Sequence, residues 1–365
     1  MKANIVLLPG DGVGPEVTSA AANTLGAVGE CFDHEFNLGS WPIGGAAIVT
    51  GESPLPYNTL QACLSADAVL LGAVGDPKFD SGASEGRPET ALLELRRALG
   101  VYANLRPARV WPGLEDGSAF KSSVVAGTDL LIVRELTGGL YYGEPRGYAP
   151  DGRSAFNTMR YSCEEIERIA EVAFQNARQR RRVVTSVDKA NVLETSRLWR
   201  EVMTTVATRY PDVRLEHQYV DSCALILATD PKRFDVLVAG NLFGDILSDE
   251  AGALVGSLGL LPSASIGGRG GLFEPVHGSA PDIAGKDVAN PIGAIGSAAL
   301  LLRYALHLER EASAVEGAIE KVLAEGWRTA DLASTGKIHS ISCSQMTAVI
   351  VEALRTACLC TQDER

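Results

Sequence analysis

Short runs of β-branched and aliphatic residues recur along the chain and alternate with helical stretches. Each run is too short for a helix and suits a strand that is buried on both faces. The runs are Ile5–Leu8, Val69–Leu71, Leu130–Val133, Val183–Val187 and Val236–Ala239. Because strands that alternate with helices form a largely parallel sheet with helices packed on it, we expect an α/β fold with a mainly parallel sheet.

Length and charge limit the classes of function. At one domain per roughly 150 residues, a chain of 365 residues is expected to form two domains. The formal net charge of −12 argues against a nucleic-acid binder or an anionic-membrane binder, because both need a basic surface. The first apolar run is too short for a signal peptide, and scattered cysteines indicate no disulfide framework. We therefore expect a cytoplasmic protein without a membrane span.

Two local patterns predict particular elements. Ser162 and Glu165 form a capping box, which predicts a helix from about Cys163 to Arg181. Between about residues 138 and 161, aromatic and glycine-rich runs flank a Pro-Asp-Gly turn signal at 150–152. An isolated hairpin is marginal in water. We therefore expect an arm that pairs with a second subunit, with a hairpin folded on its own domain as the alternative.

A glycine-rich loop at residues 10–14 lies between a predicted strand and a predicted helix, as in dinucleotide-binding motifs. The spacing does not fit Gly-x-Gly-x-x-Gly, because Pro15 stands where a small third residue is required. Proline is favoured near the first position of a helix. We therefore expect a structural turn and not a pyrophosphate site.

Two acidic residues suggest a metal site. Asp245 and Asp249 are four residues apart, so on a helix both project from one face, where like charges repel unless a cation bridges them. Carboxylate oxygens suit Mg²⁺ or Mn²⁺. A solvated helix face is the alternative interpretation. Asp221, which follows the strand-like stretch 215–220, could supply a third ligand.

Basic residues offer the complementary signal. Arginine binds a carboxylate as a two-pronged fork, so three candidates in an acidic chain indicate a site for a multiply charged acid: Arg96, Arg106 and Arg134. Lys189 follows a predicted strand at the end where open α/β sheets bind ligands, and burial near a metal would let it act as a base. Tyr141 is a candidate proton donor, with simple packing as the alternative.

Five segments carry motifs that occur together. They are Asn104–Pro107, Val133–Gly139, Val187–Asn191, Gly240–Asp249 and Phe273–Gly285. Together, in this order and over nearly the whole chain, they resemble the β-decarboxylating isocitrate/isopropylmalate dehydrogenases. The resemblance implies an isopropylmalate dehydrogenase-like fold with two α/β domains, the first of residues 1–101 plus 256–365 and the second, central one of residues 102–255. It also implies a protruding β-hairpin arm and a homodimer with shared active sites.

The chemistry implied by the resemblance is oxidation of a 2-hydroxy acid by NAD⁺, followed by loss of CO₂ with a divalent metal. Three arginines would bind the carboxylates of a small dicarboxylate, namely Arg96, Arg106 and Arg134. Three aspartates would hold the metal, namely Asp245, Asp249 and Asp221 of the partner subunit. Lys189 of the partner subunit would take the hydroxyl proton, and Tyr141 would protonate the enolate.

The cofactor site implied by the resemblance is not of the Rossmann type and uses the loop from Glu274 to Asn290. The implied cofactor residues are Glu274, His277, Gly278, Ser279, Ala280, Pro281, Asp282 and Asn290. His277 would lie by the adenine, while Asp282 would accept from the ribose hydroxyls and repel the 2′-phosphate of NADP. NADP-dependent members carry Lys and Tyr at the positions of Asp282 and Ile283, so the expected cofactor is NAD⁺.

Substrate choice is implied to depend on the helix that begins at Glu89. Leu92 and Leu93 stand where isocitrate-specific members carry polar residues, which predicts an aliphatic pocket for an isopropyl group. Glu89 would lie near this group and the nicotinamide. The expected reaction is NAD-dependent oxidative decarboxylation of 3-isopropylmalate to 4-methyl-2-oxopentanoate in leucine biosynthesis. The alternative functions are a D-malate, tartrate or homoisocitrate dehydrogenase and a non-catalytic subunit. The alternative for Leu92 and Leu93 is that both side chains belong to the core.

Overall fold

The computed structural model describes residues 1–79, 86–332 and 339–363. The chain divides into two compact units. The first unit comprises Met1–Val101, Trp111–Ser118 and Val255–Arg365, and the central unit comprises Tyr102–Val110 and Ala119–Leu254. Among the described helices, none combines the length and the apolar character needed to span a bilayer.

The segment Trp111–Ser118 differs from the expected domain boundaries, because it groups with the first unit instead of the central one. Arg328, also of the first unit, donates from Nη2 to the carbonyl oxygen of Gly113 at 3.0 Å. Trp111 and Leu114 are buried. This packing ties the segment to the first unit, and Val255 groups with that unit as well.

In chain order, the strands are β1 (Lys2–Gly10), β2 (Glu35–Ser40), β3 (Ala68–Ala73), β4 (Ala103–Arg109), β5 (Asp129–Glu135), β6 (Gly147–Tyr148), β7 (Ala155–Phe156), β8 (Val183–Asp188), β9 (Arg214–Tyr219), β10 (Val236–Ala239), β11 (Pro262–Ile266), β12 (Leu272–Pro275), β13 (Trp327–Arg328) and β14 (His339–Ser340). The helices are α1 (Gly14–Phe32), α2 (Gly45–Val49), α3 (Tyr57–Ser65), α4 (Pro88–Leu99), α5 (Ser122–Val125), α6 (Cys163–Arg178), α7 (Glu194–Ala207), α8 (Val220–Thr229), α9 (Asn241–Leu254), α10 (Ile292–Tyr304), α11 (Glu309–Ala324) and α12 (Cys343–Asp363). Short 3₁₀ helices lie at Pro77–Phe79, Glu115–Gly117, Gly139–Tyr141, Pro231–Arg233, Leu258–Leu260 and Ala330–Leu332. Each of the five predicted strand runs falls within an observed strand, which confirms the α/β prediction.

The first unit is built on the strand order β2-β1-β3-β12-β11. Its first four strands pair in parallel, and β11 pairs antiparallel with β12. Every residue of β3 is buried, as expected for a parallel strand covered on both faces. Helices α1, α10, α11 and α12 pack against one another and form the helical core of this unit.

The central unit is built on the strand order β4-β5-β10-β8-β9. Strands β5, β10, β8 and β9 run parallel, while β4 pairs antiparallel with β5. The carboxyl ends of β5, β8 and β10 therefore meet at one edge, the edge where open sheets bind ligands. Residues that follow these strands supply most of the charged groups described below.

The predicted capping box of α6 is confirmed. Ser162 Oγ accepts from the Glu165 backbone N–H at 3.2 Å, and Glu165 Oε2 accepts from the Ser162 N–H at 2.8 Å. The helix ends at Arg178 and not at Arg181 as expected. Arg180 Nε donates to Asp235 at 3.0 Å. This hydrogen bond connects the loop after α6 to the residue that precedes β10.

The predicted hairpin is shorter than expected. Strands β6 and β7 pair antiparallel around a turn with Gly152 at φ +66°. The first expected strand run instead contains the 3₁₀ turn at Gly139–Tyr141, in which the Tyr142 N–H donates back to the Gly139 carbonyl. Tyr148 and Phe156 are exposed at 79% and 50% on this hairpin, which leaves an aromatic surface uncovered within one chain.

Candidate active site

Asp245 and Asp249 lie one turn apart on α9, as their spacing predicts. The Asp245 carboxylate accepts from Arg134 Nη1 and, at 2.9 Å, from the hydroxyl of Tyr141. Asp249 Oδ1 accepts from Arg106 Nη1 at 3.1 Å, and its side chain is 68% exposed. Repulsion between the two carboxylates is thus offset within the chain by two arginines.

Two of the three predicted carboxylate-binding arginines converge on this acidic pair. Arg106 lies on β4 and Arg134 on β5, and these strands are neighbours. Arg106 also donates to Asn104 Oδ1 and Ser248 Oγ, both at 2.8 Å. Its guanidinium is therefore fixed by neutral acceptors from the strand and the helix, which keeps it directed at α9.

The third predicted arginine, Arg96, lies on α4 in the first unit. Its Nη2 donates to Glu274 Oε1 at 2.7 Å, and both side chains are largely buried. The structure thus pairs a predicted substrate residue with a predicted cofactor residue. Arg96 Nε is buried and has no hydrogen-bond partner among the described residues. A buried donor of this kind is expected to bind an acceptor supplied by a ligand.

Lys189 and Asp221 form an ion pair in the central unit. Lys189 directly follows β8. Strand β9 ends at Tyr219, and Asp221 lies in the first turn of the helix that follows, α8. The hydrogen bond from Lys189 is the main reason that the pKa of Asp221 lies below its ordinary value. Backbone placement of the lysine is secured by its N–H, which donates to Ser196 Oγ at 3.1 Å.

Tyr141 lies in the 3₁₀ turn after β5, with its hydroxyl on Asp245. Desolvation first, and then the hydrogen bond to Asp245, raise the pKa of this phenol above its ordinary value of 10.0. The guanidinium carbon of Arg134 lies 5.9 Å from the ring centroid. The phenol is therefore held neutral and protonated beside two charged groups.

The residues of α4 separate into two faces. Leu95 and Ala91 are buried and belong to the core, while Leu93 is 52% exposed and Leu92 is half-buried. The alternative interpretation of Leu93 as a core residue is therefore wrong. Glu89 is exposed at the start of the helix, where a Cβ on Gly75 would come within 3.0 Å of its Oε1.

His277 in the predicted cofactor loop offers an unused polar atom. Its Nδ1 lies 2.9 Å from the Gly278 carbonyl, and its Nε2 is buried without a hydrogen-bond partner in the described chain. Burial is the main cause that lowers the pKa of this imidazole below 6.5. A neutral ring with a free buried nitrogen suits a heterocyclic ligand that can complete its hydrogen bonding.

The remaining loop residues differ in what they contact. Asp282 is exposed, and its carbonyl accepts from Lys286 Nζ at 2.6 Å. The side chain of Asn290, by contrast, is already engaged: Oδ1 accepts from Ile292 N–H and Nδ2 donates to Asp331, both at 3.0 Å. The amide of Asn290 therefore supports the start of α10 in this structure.

The glycine-rich loop is a structural turn, as expected. A Cβ on Gly12 would lie 1.8 Å from the Ser279 carbonyl oxygen, and one on Gly10 would lie 1.9 Å from the Ala73 carbonyl oxygen. Neighbouring backbone therefore leaves no room for a side chain at either glycine. Asp11, which sequence reasoning missed, is buried and accepts from three backbone N–H groups of two other segments, at Gly45, Ala46 and Gly75.

One further group of ligand-type atoms was not predicted. Oxygens of Glu16 and Asp287 and the sulfur of Cys343 lie within 4.8 Å of one another in the first unit. Burial, with the two carboxylates, raises the pKa of the Cys343 thiol to about 12. The thiol is therefore protonated at neutral pH. The hard oxygen donors of α9 fit Mg²⁺ or Mn²⁺ better than this mixed set does.

Comparison with known proteins identifies the family. A family model described as isocitrate/isopropylmalate dehydrogenase matches residues 4–350. The 3-isopropylmalate dehydrogenase of Prochlorococcus marinus is 53% identical over 353 residues, which cover 96% of this chain and 99% of that protein. The 3-isopropylmalate dehydrogenase of Aquifex aeolicus is 52% identical and covers 97% of each chain.

Solved structures agree. The crystal structure of isocitrate dehydrogenase from Methylococcus capsulatus superposes with a TM-score of 0.84 at 37% identity, and covers 97% of this chain and 99% of that one. The apo crystal structure of a β-decarboxylating dehydrogenase from Thermococcus kodakarensis gives a TM-score of 0.82 at 33% identity, with coverage of 99% and 98%. Sequence motifs, fold and relatives therefore agree that this chain belongs to the isocitrate/isopropylmalate dehydrogenase family.

Proposed function

We propose that the protein oxidises 3-isopropylmalate with NAD⁺ and decarboxylates the product to 4-methyl-2-oxopentanoate, a step of leucine biosynthesis. The observation that carries the proposal is the convergence of two arginine forks, two carboxylates and a neutral phenol on one turn of α9. Relatives named for this reaction at 52–53% identity support the choice of substrate.

The arginines would bind the two carboxylates of the substrate. Arg106 and Arg134 are held by neutral acceptors and by aspartates, so substrate carboxylates would compete with the aspartates for these guanidinium groups. Arg96 would contribute a third fork, and its unpartnered Nε supports this role. The exposed side of α4, with Glu89, Leu92 and Leu93, would contact the isopropyl group.

Two residues would move protons. Tyr141 would donate a proton to the enolate left by decarboxylation, a role that its contact with Asp245 supports because it places a protonated phenol beside the proposed metal site. Lys189 of the partner subunit would take the proton of the substrate hydroxyl. Within one chain Lys189 is paired with Asp221, whose side chain is 67% exposed and so remains open to further partners.

The donor sets fit the two groups that the family uses. When bound, Mg²⁺ or Mn²⁺ would polarise the substrate oxygens and NAD⁺ would accept the hydride. Asp245 and Asp249, with Asp221 of the partner subunit, would hold the metal through hard oxygens. His277 would lie by the adenine, and the exposed Asp282 would accept from the ribose hydroxyls. The other residues that would line the cofactor are Glu274, Gly278, Ser279, Ala280, Pro281 and Asn290.

The assembly belongs to the same proposal. The first unit would hold the dinucleotide, and the central unit would carry the dimerisation arm at about 138–161. The exposed aromatic side chains of Tyr148 and Phe156 support a homodimer, because such a surface is favourable to cover. We propose a cytoplasmic location, without nucleic-acid or membrane partners.

NADH absorbance tests the proposal. Purified protein, NAD⁺ and Mg²⁺ are mixed separately with 3-isopropylmalate, D-malate and isocitrate, each with and without EDTA. We expect EDTA-sensitive turnover that is fastest on 3-isopropylmalate. Asp245→Asn should abolish turnover, while the matched control Asp33→Asn, at an exposed position at the end of α1, should not change it. Faster turnover of D-malate would refute the choice of substrate, and no turnover of any of the three acids would refute the enzymatic role.

A further inference from the structure

Asn241 contacts Arg134 through one edge of the guanidinium. Its Oδ1 accepts from Arg134 Nε at 3.1 Å and from Nη2 at 2.9 Å. Asn241 is the first residue of α9 and is 1% exposed. Two hydrogen bonds to one oxygen fix the plane of the guanidinium, and Nη1 is then directed at Asp245.

The amide of Asn241 has only one orientation that satisfies its neighbours. Nδ2 donates to the Gly138 carbonyl at 3.3 Å, on the side away from Arg134. A flipped amide would set its NH₂ group against the guanidinium and its oxygen against the carbonyl, so donors would face donors and acceptors would face acceptors. The surroundings of Asn241 thus keep its oxygen on the arginine.

Tyr161 holds the backbone of Asn241. Its hydroxyl accepts from the Asn241 N–H at 2.7 Å, which is an N–H at a helix start without a partner within the helix. The ring fits against glycine backbone: a Cβ on Gly138 would lie 2.7 Å from the ring, and one on Gly240 would lie 3.0 Å from the hydroxyl. Trp199 packs edge-on against the ring at 5.5 Å between centroids.

We infer that Asn241, supported by Tyr161, is a positioning residue that holds Arg134 ready for a substrate carboxylate. The partners of Arg134 include a neutral one in Asn241 and a charged one in Asp245. When Asp245 is engaged by a cation, Asn241 still holds one edge of the guanidinium, so the other edge stays in place for the substrate. The inference rests on the proposed function, because it assigns the substrate carboxylate as the partner of Arg134.

The test measures binding as well as turnover. Asn241→Leu has a similar size but offers no acceptor, whereas Asn241→Asp keeps an oxygen for Arg134. The control Thr24→Val removes one buried hydrogen bond, from Thr24 Oγ1 to the Ala20 carbonyl at 3.0 Å, in the first unit. For each protein, calorimetric titration gives the Kd of 3-isopropylmalate with Mg²⁺ and without NAD⁺, and steady-state kinetics gives kcat and both KM values. Melting temperatures report folding.

We expect Asn241→Leu to raise the Kd of 3-isopropylmalate at least tenfold, with the KM of NAD⁺ within twofold of wild type. Asn241→Asp should recover part of this loss, and Tyr161→Phe should show a smaller loss in the same direction. Thr24→Val should lower the melting temperature without changing the Kd. A folded Asn241→Leu, or a folded Tyr161→Phe if the first does not fold, with a wild-type Kd would overturn the inference.

The measurements on the wild-type protein separate this inference from the proposed function. If wild type binds and turns over D-malate or isocitrate instead, the substrate assignment fails, and the same variants are titrated with that acid. If wild type binds none of the three acids, the proposed function fails and the assignment of a carboxylate to Arg134 fails with it. If wild type turns over 3-isopropylmalate and the Asn241 variants bind it normally, only the positioning role is refuted.

Discussion

Asp11 joins three backbone segments of the first unit through one buried carboxylate. Oδ2 accepts from the N–H groups of Gly45 and Gly75 at 2.9 Å each, and Oδ1 accepts from Ala46 at 2.8 Å. The side chain is 6% exposed. Asp11→Asn keeps the shape but replaces one acceptor oxygen with a donor. Whichever way the amide is turned, at least one backbone N–H then faces another donor.

The cost follows from these contacts. With the amide oxygen at the position of Oδ2, the Ala46 N–H loses its acceptor, and a buried unsatisfied donor costs about 1–3 kcal/mol. The two remaining hydrogen bonds become neutral and each weakens by about 1 kcal/mol. The expected loss in the free energy of unfolding is therefore about 4 kcal/mol. With an unfolding entropy of about 2.1 cal/mol/K per residue, 365 residues convert this loss to a fall in Tm of about 5 °C.

Differential scanning calorimetry of wild type, Asp11→Asn and Asp151→Asn tests this reasoning. Asp151 accepts a single backbone hydrogen bond, from Arg153 N–H at 3.0 Å in an exposed turn. Its change to asparagine should alter stability by no more than about 0.5 kcal/mol. If the Tm of Asp11→Asn stays within about 1 °C of wild type, the three hydrogen bonds do not stabilise the first unit and the reasoning is refuted.

Three further predictions concern the proposed site. Tyr141→Phe keeps the ring but loses the proton donor, so kcat should fall about hundredfold, with the KM of the substrate nearly unchanged. An unchanged kcat in steady-state assays would exclude the phenol as the acid. Burial lowers the pKa of His277 below 6.5, so as the pH falls the imidazole of the unfolded chain is protonated before that of the folded protein, and the free energy of unfolding decreases as the pH drops through 6.5. The Tm of His277→Gln should therefore fall less than that of wild type between pH 7.5 and pH 5.5. Equal falls in Tm would contradict this prediction. Asp282→Lys should raise kcat/KM for NADP⁺ at least tenfold, because it replaces repulsion of the 2′-phosphate with attraction. Asp33→Lys, at an exposed position at the end of α1, is the control that should not respond.

Five strands, β1, β3, β5, β8 and β10, could be predicted from the sequence because each contains a continuous apolar run that needs no knowledge of its neighbours. Strands such as β2 and β9 carry polar residues and could not be recognised in this way. The helical placement of Asp245 and Asp249 was predictable for a similar reason, since a spacing of four residues is local information. The motifs that carry the family resemblance indicated which charged residues matter. In each of these cases the signal lies within a few consecutive residues.

The network around Arg134 could not be predicted, because its parts come from distant segments. Asn241 begins α9, Tyr161 precedes α6, and Arg134 lies on β5. No spacing rule joins such residues. The pairing of Arg96 with Glu274 was missed for the same reason, since each was assigned to a different ligand from its own motif. The three donors of Asp11 likewise come from the start of α2 and from the loop after β3, which only the folded chain brings together.

The order of elements in the first unit also has a consequence during protein synthesis. Helix α12 packs on α1, and Val17, Leu25 and Val28 of α1 are fully buried. At about 5–20 residues per second, a ribosome needs roughly 15–60 s to make the stretch of chain that separates these two helices. During that time the part of the α1 surface that packs on α12 lacks this partner, although α1 can already pack on β1 and β3. A nascent chain of this protein therefore exposes a surface for chaperones to cover, and removing α12 would leave that surface bare permanently.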